Sequence, residues 1–534
     1  MTNQWWEKAV IYQIYPRSFL DSNADGIGDI KGIIQKLDFL NDGTEASLGI
    51  DAIWFNPLYP SPQYDFGYDI MDYCSIDPQY GTMAEFEQLL SEAHKRNIRI
   101  IMDIVPSVTS HLHPWFISSR SSKDDPKRDW YIWKDAPEGR KYPNNWFGVF
   151  GGRAWDWDKK TKQFYYHNSL PEQPDLNWRN PEVEQAVLSV LEFWFDKGVD
   201  GFRIDVLNYP FKDGSFRDNP YCFGIRPYDM QKHIYDKDLP ESIEVGKKMR
   251  QVADKFQNKM LVAEIYNPNP KIAASYYGEK GDGPHMIFNF SFAYSKFKAS
   301  AFKKRIVEWD KLSKGKGWPS YFLSNHDMPR HISRYASYNK TTARAKVAAA
   351  MLLTLRGTPF LYMGEEIGMK SYPLKRKDRM DPVGVRYWPF HPGRDGARTP
   401  YQWNDSQYAG FSSVKPWLPV NKDYTACNAN SQESDLNSLL NWYRKLIWLR
   451  KNHSALSNGE ISFFDGLPSG MMAYLRKDEN ESIAVFINFT ALNKQFTVDE
   501  SFKGRLQKLL SLSAQIDGCR IILNAYGVLV LNII

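Results

Sequence analysis

Residues 180–206 read NPEVEQAVLSVLEFWFDKGVDGFRIDV, a helical segment followed by a short β-strand. Asn180-Pro181 predicts the helix start, because Asn caps helices and Pro suits the first helical turn. The apolar residues that follow recur at helical spacing on one face: Val183, Val187, Leu191 and Trp194. The strand covers Gly201–Val206. Helices that alternate with strands in this way indicate a parallel sheet with crossover connections.

The same alternation extends through most of the chain. A second helix begins at Thr82, where Glu85 completes a capping box, and it directs Phe86, Leu89 and Leu90 inward. Eight repeats favour a (β/α)8 TIM barrel, an α/β fold, over an open sheet, which usually has fewer strands. The predicted strands are Val10–Tyr15, Asp51–Phe55, Ile98–Ile104, Gly201–Val206, Met260–Glu264, Met286–Phe290, Tyr321–Ser324 and Pro359–Met363.

Uneven spacing divides the chain into three predicted domains. The gap between the third and fourth strands is too long for a structureless loop, so residues 105–177 are predicted to form a small inserted domain. The barrel then comprises residues 1–104 and 178–457. From residue 458 to 534, short strand patterns without crossover helices predict an antiparallel, β-sandwich-like domain.

Composition excludes several classes of protein. The 534 residues are 43% hydrophobic and 24% charged, which is typical of a globular protein. A net charge of +6 spread along the chain argues against a nucleic-acid partner, and no apolar run is long enough for a membrane span. Four scattered cysteines exclude a disulfide scaffold. The first residues lack a secretory signal pattern, so a cytoplasmic location is expected.

Charged residues lie at the C-terminal ends of the predicted strands, where the reactive groups of TIM barrels lie. They are Asp103, Arg203 with Asp205, Glu264, and His326 with Asp327. A structural ion network at the barrel mouth is the alternative interpretation. The three carboxylates at strands four, five and seven (Asp205, Glu264 and Asp327), with an Arg and a His on the same side, favour a reactive site, because buried charges are costly unless they are paired or functional.

Paired carboxylates are the machinery of glycoside hydrolysis, in which one attacks the anomeric carbon and the other protonates the leaving oxygen. Asp205 suits the first role, because Arg203 on the same strand face stabilises its ionised form. Glu264 suits the second role, since burial and nearby negative charge can keep it protonated near neutral pH. No dinucleotide or P-loop fingerprint occurs, so no organic cofactor is expected.

Three motifs contain these charged residues: GFRIDV (201–206), AEI (263–265) and SNHD (324–327). They resemble the signature regions of glycoside hydrolase family thirteen, the α-amylase family. Further matching segments run the length of the chain: WWEKAVIYQIYPRSF (5–19), DFGYD (65–69), QPDLN (173–177), GEEIG (364–368) and GRDGARTPYQW (393–403). The chain looks most like bacterial exo-acting α-glucosidases and oligo-1,6-glucosidases.

The resemblance implies catalytic roles for three residues. Asp205 is expected to be the nucleophile, Glu264 the general acid/base, and Asp327 the group that holds substrate hydroxyls and stabilises the oxocarbenium-like transition state. Arg203 orients Asp205 in this assignment, and His326 hydrogen-bonds the same sugar. A retaining exo-α-glucosidase acting on small oligosaccharides is the implied activity.

The resemblance also implies a closed sugar pocket. Tyr68 is expected to stack on the glucose ring, and a pair between Asp65 and Arg398 to close the pocket around the non-reducing end. Phe150 is expected to line the neighbouring subsite.

One position departs from the pattern of similar enzymes. They usually carry a histidine five residues after the strand-three aspartate, where it binds the primary hydroxyl of the sugar, and Val108 stands there in this chain. Losing such a donor costs about 2–4 kcal/mol of transition-state stabilisation by analogy with other positioned donors. Nearby His111 and His113 are interpreted as ordinary loop residues. We expect weakened catalysis or relaxed selectivity at that hydroxyl.

A second motif spans residues 21–29, DSNADGIGD, and matches the first part of a calcium loop. Similar α-glucosidases bind Ca2+ or Mg2+ here, so a structural ion is expected; the alternative is a metal-free turn. The expected ligands are Asp21, Asn23, Asp25, the Ile27 carbonyl and Asp29.

Three questions stay open at the level of sequence. Val206, directly after the nucleophile, correlates with α-1,6 cleavage in the resembling enzymes, although a β-branched residue is also common in strands. A transglucosylase or a sugar isomerase differs from a hydrolase only in whether a sugar or water intercepts the intermediate. A catalytically silent sugar-binding or interaction protein on the same scaffold is favoured by Val108 and disfavoured by the intact carboxylates.

Overall fold

Parallel strands close into a barrel in the computed structural model, which describes residues 4–338 and 340–534. In chain order the first eleven strands are β1 (Ile11–Ile14), β2 (Ala52–Phe55), β3 (Arg99–Ile104), β4 (Trp133–Lys134), β5 (Trp155–Asp158), β6 (Gln163–Tyr166), β7 (Gly201–Ile204), β8 (Met260–Ala263), β9 (Met286–Phe288), β10 (Trp318–Phe322) and β11 (Thr358–Tyr362).

The barrel follows the order β1-β2-β3-β7-β8-β9-β10-β11 and closes where β11 pairs with β1. The predicted TIM barrel is therefore confirmed. Each predicted strand overlaps a barrel strand, although β10 begins at Trp318 rather than at Tyr321. Asp205 and Glu264 lie directly after the ends of β7 and β8, on the side where barrel enzymes carry their reactive groups.

Helices lie before, between and after the barrel strands. They are α1 (Trp5–Lys8), α2 (Ile30–Gln35), α3 (Leu37–Leu40), α4 (Met83–Lys95), α5 (Pro114–Ser119), α6 (Pro181–Asp196), α7 (Pro240–Ala253), α8 (Pro270–Ser275), α9 (Phe290–Ala293), α10 (Ala299–Ser313), α11 (His331–Arg334), α12 (Thr341–Thr354), α13 (Pro382–Arg386), α14 (Ala429–Glu433), α15 (Leu439–Asn452) and α16 (Ser454–Ser457).

The two helix starts predicted from sequence are both present. The Asn180 side chain accepts a hydrogen bond from the Glu182 backbone N–H at the start of α6. Thr82 and Glu85 form the reciprocal bonds of a capping box at α4. The predicted apolar faces are buried in the main core, including Leu191 on α6 and Phe86 on α4.

The long connection between β3 and β7 contains a separate antiparallel sheet of three strands, in the order β4-β6-β5. A small aromatic cluster packs on it, formed by Trp146, Trp155 and Tyr166 with Ala154. The pairing of Val108 with Asp175 brings the two ends of the connection together beside the barrel mouth. The boundaries 105–177 and 178–457 stay a prediction.

The C-terminal part is antiparallel, as predicted. Its strands are β12 (Glu460–Phe463), β13 (Met471–Lys477), β14 (Ser482–Asn488), β15 (Lys494–Thr497), β16 (Leu506–Asp517) and β17 (Arg520–Ile533). They follow the order β12-β13-β14-β17-β15, and β16 pairs with β17. Buried Arg476 donates to the carbonyl of Thr354 on α12 and so ties this sheet to the barrel. Within the described residues, no helix is long and apolar enough to cross a membrane.

Candidate active site

One buried guanidinium organises the mouth of the barrel. Arg203 forms ion pairs with Asp103 at 2.6 Å, with Asp205 at 2.8 Å and with Glu264. The Arg203 side chain is 1% exposed. Backbone hydrogen bonds from Asp205 to the Ile104 carbonyl and from Glu264 to the Ile204 carbonyl continue the barrel pairing past the strand ends. The carboxylates of Asp205 and Glu264 therefore meet on the same side chain.

Burial shifts the proton affinities of these acids upward. It raises the pKa of Glu264 to about 7; Arg203 opposes this shift, whereas Asp327 and Asp103 add to it. Burial likewise raises the pKa of Asp205 well above its usual value, against the effect of Arg203. These carboxyl groups interact strongly and titrate as a set. The cluster retains a proton near neutral pH, as a site that needs one ionised and one protonated carboxyl requires.

Asp327 stays ionised beside this cluster. Burial raises its pKa, but His326, Arg394 and Arg398 lower it more, so that the net pKa lies well below its usual value. Arg398 donates to its carboxylate at 2.8 Å. Asp327 therefore presents a fixed negative charge to the pocket.

His326 is a neutral hydrogen-bonding group. Burial lowers its pKa to about 4. Its Nδ1 lies 2.8 Å from the Gln13 amide nitrogen, which can only donate, so Nε2 carries the hydrogen. That Nε2 lies 3.0 Å from Asp327 and 2.8 Å from the Tyr68 hydroxyl. The ring of Tyr68 is parallel to that of His326, and its hydroxyl donates to Asp103 at 2.9 Å.

The outer edge of the site is held by Arg394, a residue that the sequence prediction missed. It pairs with Asp65 at 2.6 Å and with Asp381 at 2.7 Å. The predicted pair between Asp65 and Arg398 is wrong, because Arg398 points instead to Asp327. Both arginines lie in the GRDGARTPYQW segment, and sequence alone does not tell which of them faces Asp65.

These residues enclose a cavity of about 280 Å³. Asp205, Glu264 and Asp327 line it together with Asp65, Tyr68 and Phe150, so the structure brings those predicted residues into one pocket. Arg203, His326 and Arg398 support it from behind through the contacts above. The guanidinium of Arg394 lies 4.6 Å from the centre of the Phe150 ring.

The wall near Val108 contains unused polar atoms. Val108 is buried and lines the pocket, as does the neighbouring Ser107. The side-chain oxygens of Ser107, Asn168 and Gln173 are buried there without a hydrogen-bond partner among the described residues. Buried polar groups usually have hydrogen-bond partners. These three oxygens are therefore available to bond the hydroxyls of a polar ligand.

Val206 adopts an unusual backbone conformation between the two reactive acids. Its φ is 32°, which is strained for a β-branched residue, and strain of this kind clusters at functional sites. The next residue, Leu207, donates its backbone N–H to the Glu264 carbonyl at 3.0 Å. The turn after β7 thus positions the acid on β8 as well as Asp205.

The predicted metal loop lies outside this pocket, between β1 and α2. The Asp21 carboxylate accepts hydrogen bonds from the N–H groups of Asn23, Ala24 and Gly26 and from the Ser412 hydroxyl. The Asp29 carboxylate accepts from Ser22 and caps α2 at Gly32. Across residues 4–338 and 340–534, no three His, Cys, Asp or Glu side chains converge as a metal cluster.

A TIM barrel whose mouth holds two acids on one arginine, in a pocket the size of a sugar ring, has the machinery of a glycoside hydrolase. Residues 13–459 match the family model for the α-amylase catalytic domain. The chain belongs to the α-amylase family of glycoside hydrolases.

Individual relatives cover nearly the whole chain. A probable α-glucosidase of Rhizobium meliloti (strain 1021) is 41% identical over 91% of this chain and 89% of its own length. An oligo-1,6-glucosidase of Parageobacillus thermoglucosidasius is 39% identical over 97% of this chain and 96% of its own length. The crystal structure of an α-glucosyl transfer enzyme, XgtA, has a TM-score of 0.92 at 37% identity, with 100% of both chains covered. That of the trehalulose synthase MutB from Pseudomonas mesoacidophila MX-45 has a TM-score of 0.90 at 34% identity, again over 100% of both chains.

Replacing Arg203 by lysine tests whether the shared guanidinium positions the acids. Lysine keeps the charge but cannot hold two carboxylates with a planar fork, so kcat/KM on an α-glucoside should fall about 100-fold. The alkaline limb of the pH–rate profile should also move upward, because a lysine ammonium that no longer contacts Glu264 lowers the pKa of Glu264 less than Arg203 does. Steady-state kinetics across pH measure both effects.

The matched control is Arg217→Lys, at a surface arginine paired with Asp213. Circular dichroism should show both variants folded. Activity and pH profile close to wild type in Arg203→Lys would contradict the positioning role.

Proposed function

We propose that the protein is a retaining exo-α-glucosidase that releases glucose from the non-reducing end of short α-glucosides, with α-1,6-linked substrates favoured. The observation that carries this proposal is the contact of Asp205 and Glu264 with one guanidinium inside a small pocket. The names of the relatives support the same activity.

The proposed reaction has two steps. Asp205 attacks the anomeric carbon while Glu264 transfers its proton to the leaving oxygen, which gives a covalent β-glucosyl-enzyme and frees the leaving sugar. Glu264, now ionised, takes a proton from water, and the oxygen of that water displaces Asp205 from the anomeric carbon. Each step needs the opposite protonation state of Glu264, which a pKa of about 7 makes accessible.

The remaining pocket residues bind the terminal glucose in this proposal. Ionised Asp327 accepts hydrogen bonds from sugar hydroxyls and stabilises the positive charge of the transition state. His326 holds the Asp327 carboxylate from behind through its Nε2. Tyr68 stacks on the ring. Exo action follows from the ion pairs of Arg394 with Asp65 and Asp381, which block the pocket beyond one sugar.

The linkage preference rests on Val206. Its side chain lines the pocket directly beside the nucleophile, at a backbone position that restricts its movement. Rates on isomaltose and maltose, compared in wild type and Val206→Ala, test the preference. A wild type that prefers isomaltose, with a lower isomaltose-to-maltose ratio in the variant, supports the proposal; a maltose preference contradicts it.

Transglucosylation is a second candidate, favoured by the fold likeness to XgtA and to a trehalulose synthase. It uses the same covalent intermediate and differs in the acceptor. Product analysis at high isomaltose concentration distinguishes the two, because a hydrolase gives mainly glucose and a transglucosylase gives longer or isomeric sugars. Small oligosaccharides are the proposed partners in either case. All four cysteines are free thiols, which supports a proposed cytoplasmic location.

Glu264→Gln tests the acid role. Hydrolysis of isomaltose should fall about 1,000-fold, because the leaving sugar then departs without a proton. Cleavage of α-glucosyl fluoride should fall far less, since fluoride needs little protonation. For the wild type, kcat/KM on isomaltose should decline as the pH rises through about 7, where Glu264 loses its proton. Equal losses on both substrates would contradict the assignment.

Val108→His tests the consequence of the missing histidine. A donor restored at this wall should raise kcat/KM on α-glucosides about tenfold or more. Val108→Ile is the control, because it stays apolar and supplies no hydrogen-bond donor. No gain in the histidine variant would show that catalysis here does not depend on a donor at this position.

We also propose that residues 21–29 bind a structural Ca2+ or Mg2+. The support is an oxygen-only donor set within one loop, which hard cations prefer: Asp21, Asn23, Asp25, the Ile27 carbonyl and Asp29. A cation must compete there with the four hydrogen bonds that Asp21 already accepts.

Chelation measures this proposal directly. EDTA should lower the thermal unfolding midpoint by several degrees, and Ca2+ at about 100 times its Kd should restore about 2.7 kcal/mol. Asp25→Ala should abolish the response, whereas Asp124→Ala, at an exposed aspartate elsewhere, should keep it. Absence of bound metal by atomic emission, with no thermal response, would overturn the proposal.

A further inference from the structure

A second cavity adjoins the catalytic pocket. Its volume is about 600 Å³, and it shares three aromatic lining residues with the pocket: Tyr266, Phe290 and Tyr294. Tyr266 packs edge-on against Phe290 at 5.6 Å between ring centres, and Phe290 stacks on Tyr294 at 6.2 Å. Tyr266 and Tyr294 are each about half exposed, at 48% and 51%. A ligand that extends out of the pocket past these rings enters the second cavity.

The chain path places this cavity on the leaving-group side. Tyr266, Asn267 and Pro268 line it and follow Glu264 directly in sequence, in the loop after β8. Under the proposed function Glu264 protonates the leaving oxygen, so the leaving sugar lies next to this loop. An acceptor in transglucosylation occupies the same space.

The lining of the cavity also contains four basic residues, of which the three lysines are exposed. Lys296, Lys298, Lys304 and Arg305 line it, and no acidic residue does. Arg305 pairs with Glu308 at 2.9 Å. In the part of the chain that the structure describes, no ion pair joins any of the three lysines to a carboxylate. We call this space, defined by the three lysines and the three shared aromatic residues, the lysine cavity.

The excess of basic over acidic side chains is a local property of this cavity, because the whole chain has 68 basic and 62 acidic residues. Clefts lined by one sign of charge concentrate ligands of the opposite sign. Aromatic rings beside the cations provide flat apolar surfaces for the face of a sugar or an aromatic group. The cavity thus offers a stacking surface next to the reacting bond and an anion site beyond it.

We propose that the lysine cavity binds the anionic group, a phosphate or a carboxylate, of a leaving sugar or acceptor. The preferred substrates are then α-glucosides whose leaving group carries that negative charge. This inference rests on the proposed function, since it uses the side from which the leaving group departs.

Paired substrates test the inference. Isomaltose is compared with isomaltose phosphorylated on its reducing glucose and with α-glucosyl-gluconate, and kcat/KM is measured at low and high salt. One anionic substrate should exceed isomaltose about tenfold through a lower KM, and the advantage should shrink at 0.5 M NaCl because salt screens the lysines. Which anion gains shows whether the site selects phosphate or carboxylate.

A triple variant, Lys296→Ala with Lys298→Ala and Lys304→Ala, should bring the ratio of anionic to neutral substrate close to one. Lys311→Ala, an exposed lysine on α10 that does not line the cavity, should leave the ratio unchanged. Equal kcat/KM for neutral and anionic substrates in the wild type would overturn the inference while the glucosidase function stands.

A binding measurement separates failure of the inference from failure of the proposed function. Calorimetric titration of Asp205→Asn with glucose 6-phosphate, glucuronate and glucose needs no turnover. The anionic sugars should bind about tenfold more tightly than glucose, and the triple variant should lose that difference. If isomaltose is not hydrolysed but this difference persists, the proposed function fails while the anion site in the lysine cavity is supported. Equal binding of all three sugars would overturn the anion site.

Discussion

The charge of Arg203 is the constraint on which the active site depends. Burying one guanidinium and three carboxylates is tolerable only because each carboxylate contacts the guanidinium. Barrel pairing makes this possible: β3, β7 and β8 are adjacent, and Asp103 lies directly across from Arg203 in their register. The same contacts that allow the charges to be buried also place the carboxylates of Asp205 and Glu264 side by side.

Segments outside the barrel determine how much sugar the site can accept. Arg394 and Asp381 come from the long connection after β11, and Phe150 comes from the insertion after β3. The ion pairs of Arg394 with Asp65 and Asp381 hold these segments together at the outer edge of the pocket. The opposite side opens past Tyr266 and Tyr294, so leaving groups and acceptors of different size and charge can be accommodated there. The barrel strands position Asp205 and Glu264, whereas these connections supply much of the remaining pocket lining.

The fold and the placement of Asp205 and Glu264 in one pocket were predictable because both follow from local sequence patterns. Strand and helix periodicity revealed the eight repeats, and the position after each strand revealed Asp205 and Glu264. The ion pairs that Arg394 and Arg398 form at the outer edge of the site were not predictable in the same way. Arg394 and Arg398 are four residues apart in one irregular segment, and only the path of that backbone decides that Arg394 meets Asp65 while Arg398 meets Asp327. Asp381 gave no signal, since it lies in a stretch without periodicity. The positive φ of Val206 was equally hidden, because its sequence context is that of an ordinary strand.

The stereochemistry of the first product tests the central claim most directly. Attack by Asp205 followed by attack of water inverts the anomeric carbon twice, so the glucose released from isomaltose should appear first as the α-anomer and then mutarotate. Proton NMR during the first minutes of the reaction records this. Initial release of β-glucose would mean a single displacement by water. The contact of Asp205 and Glu264 with Arg203 would then not form a double-displacement site.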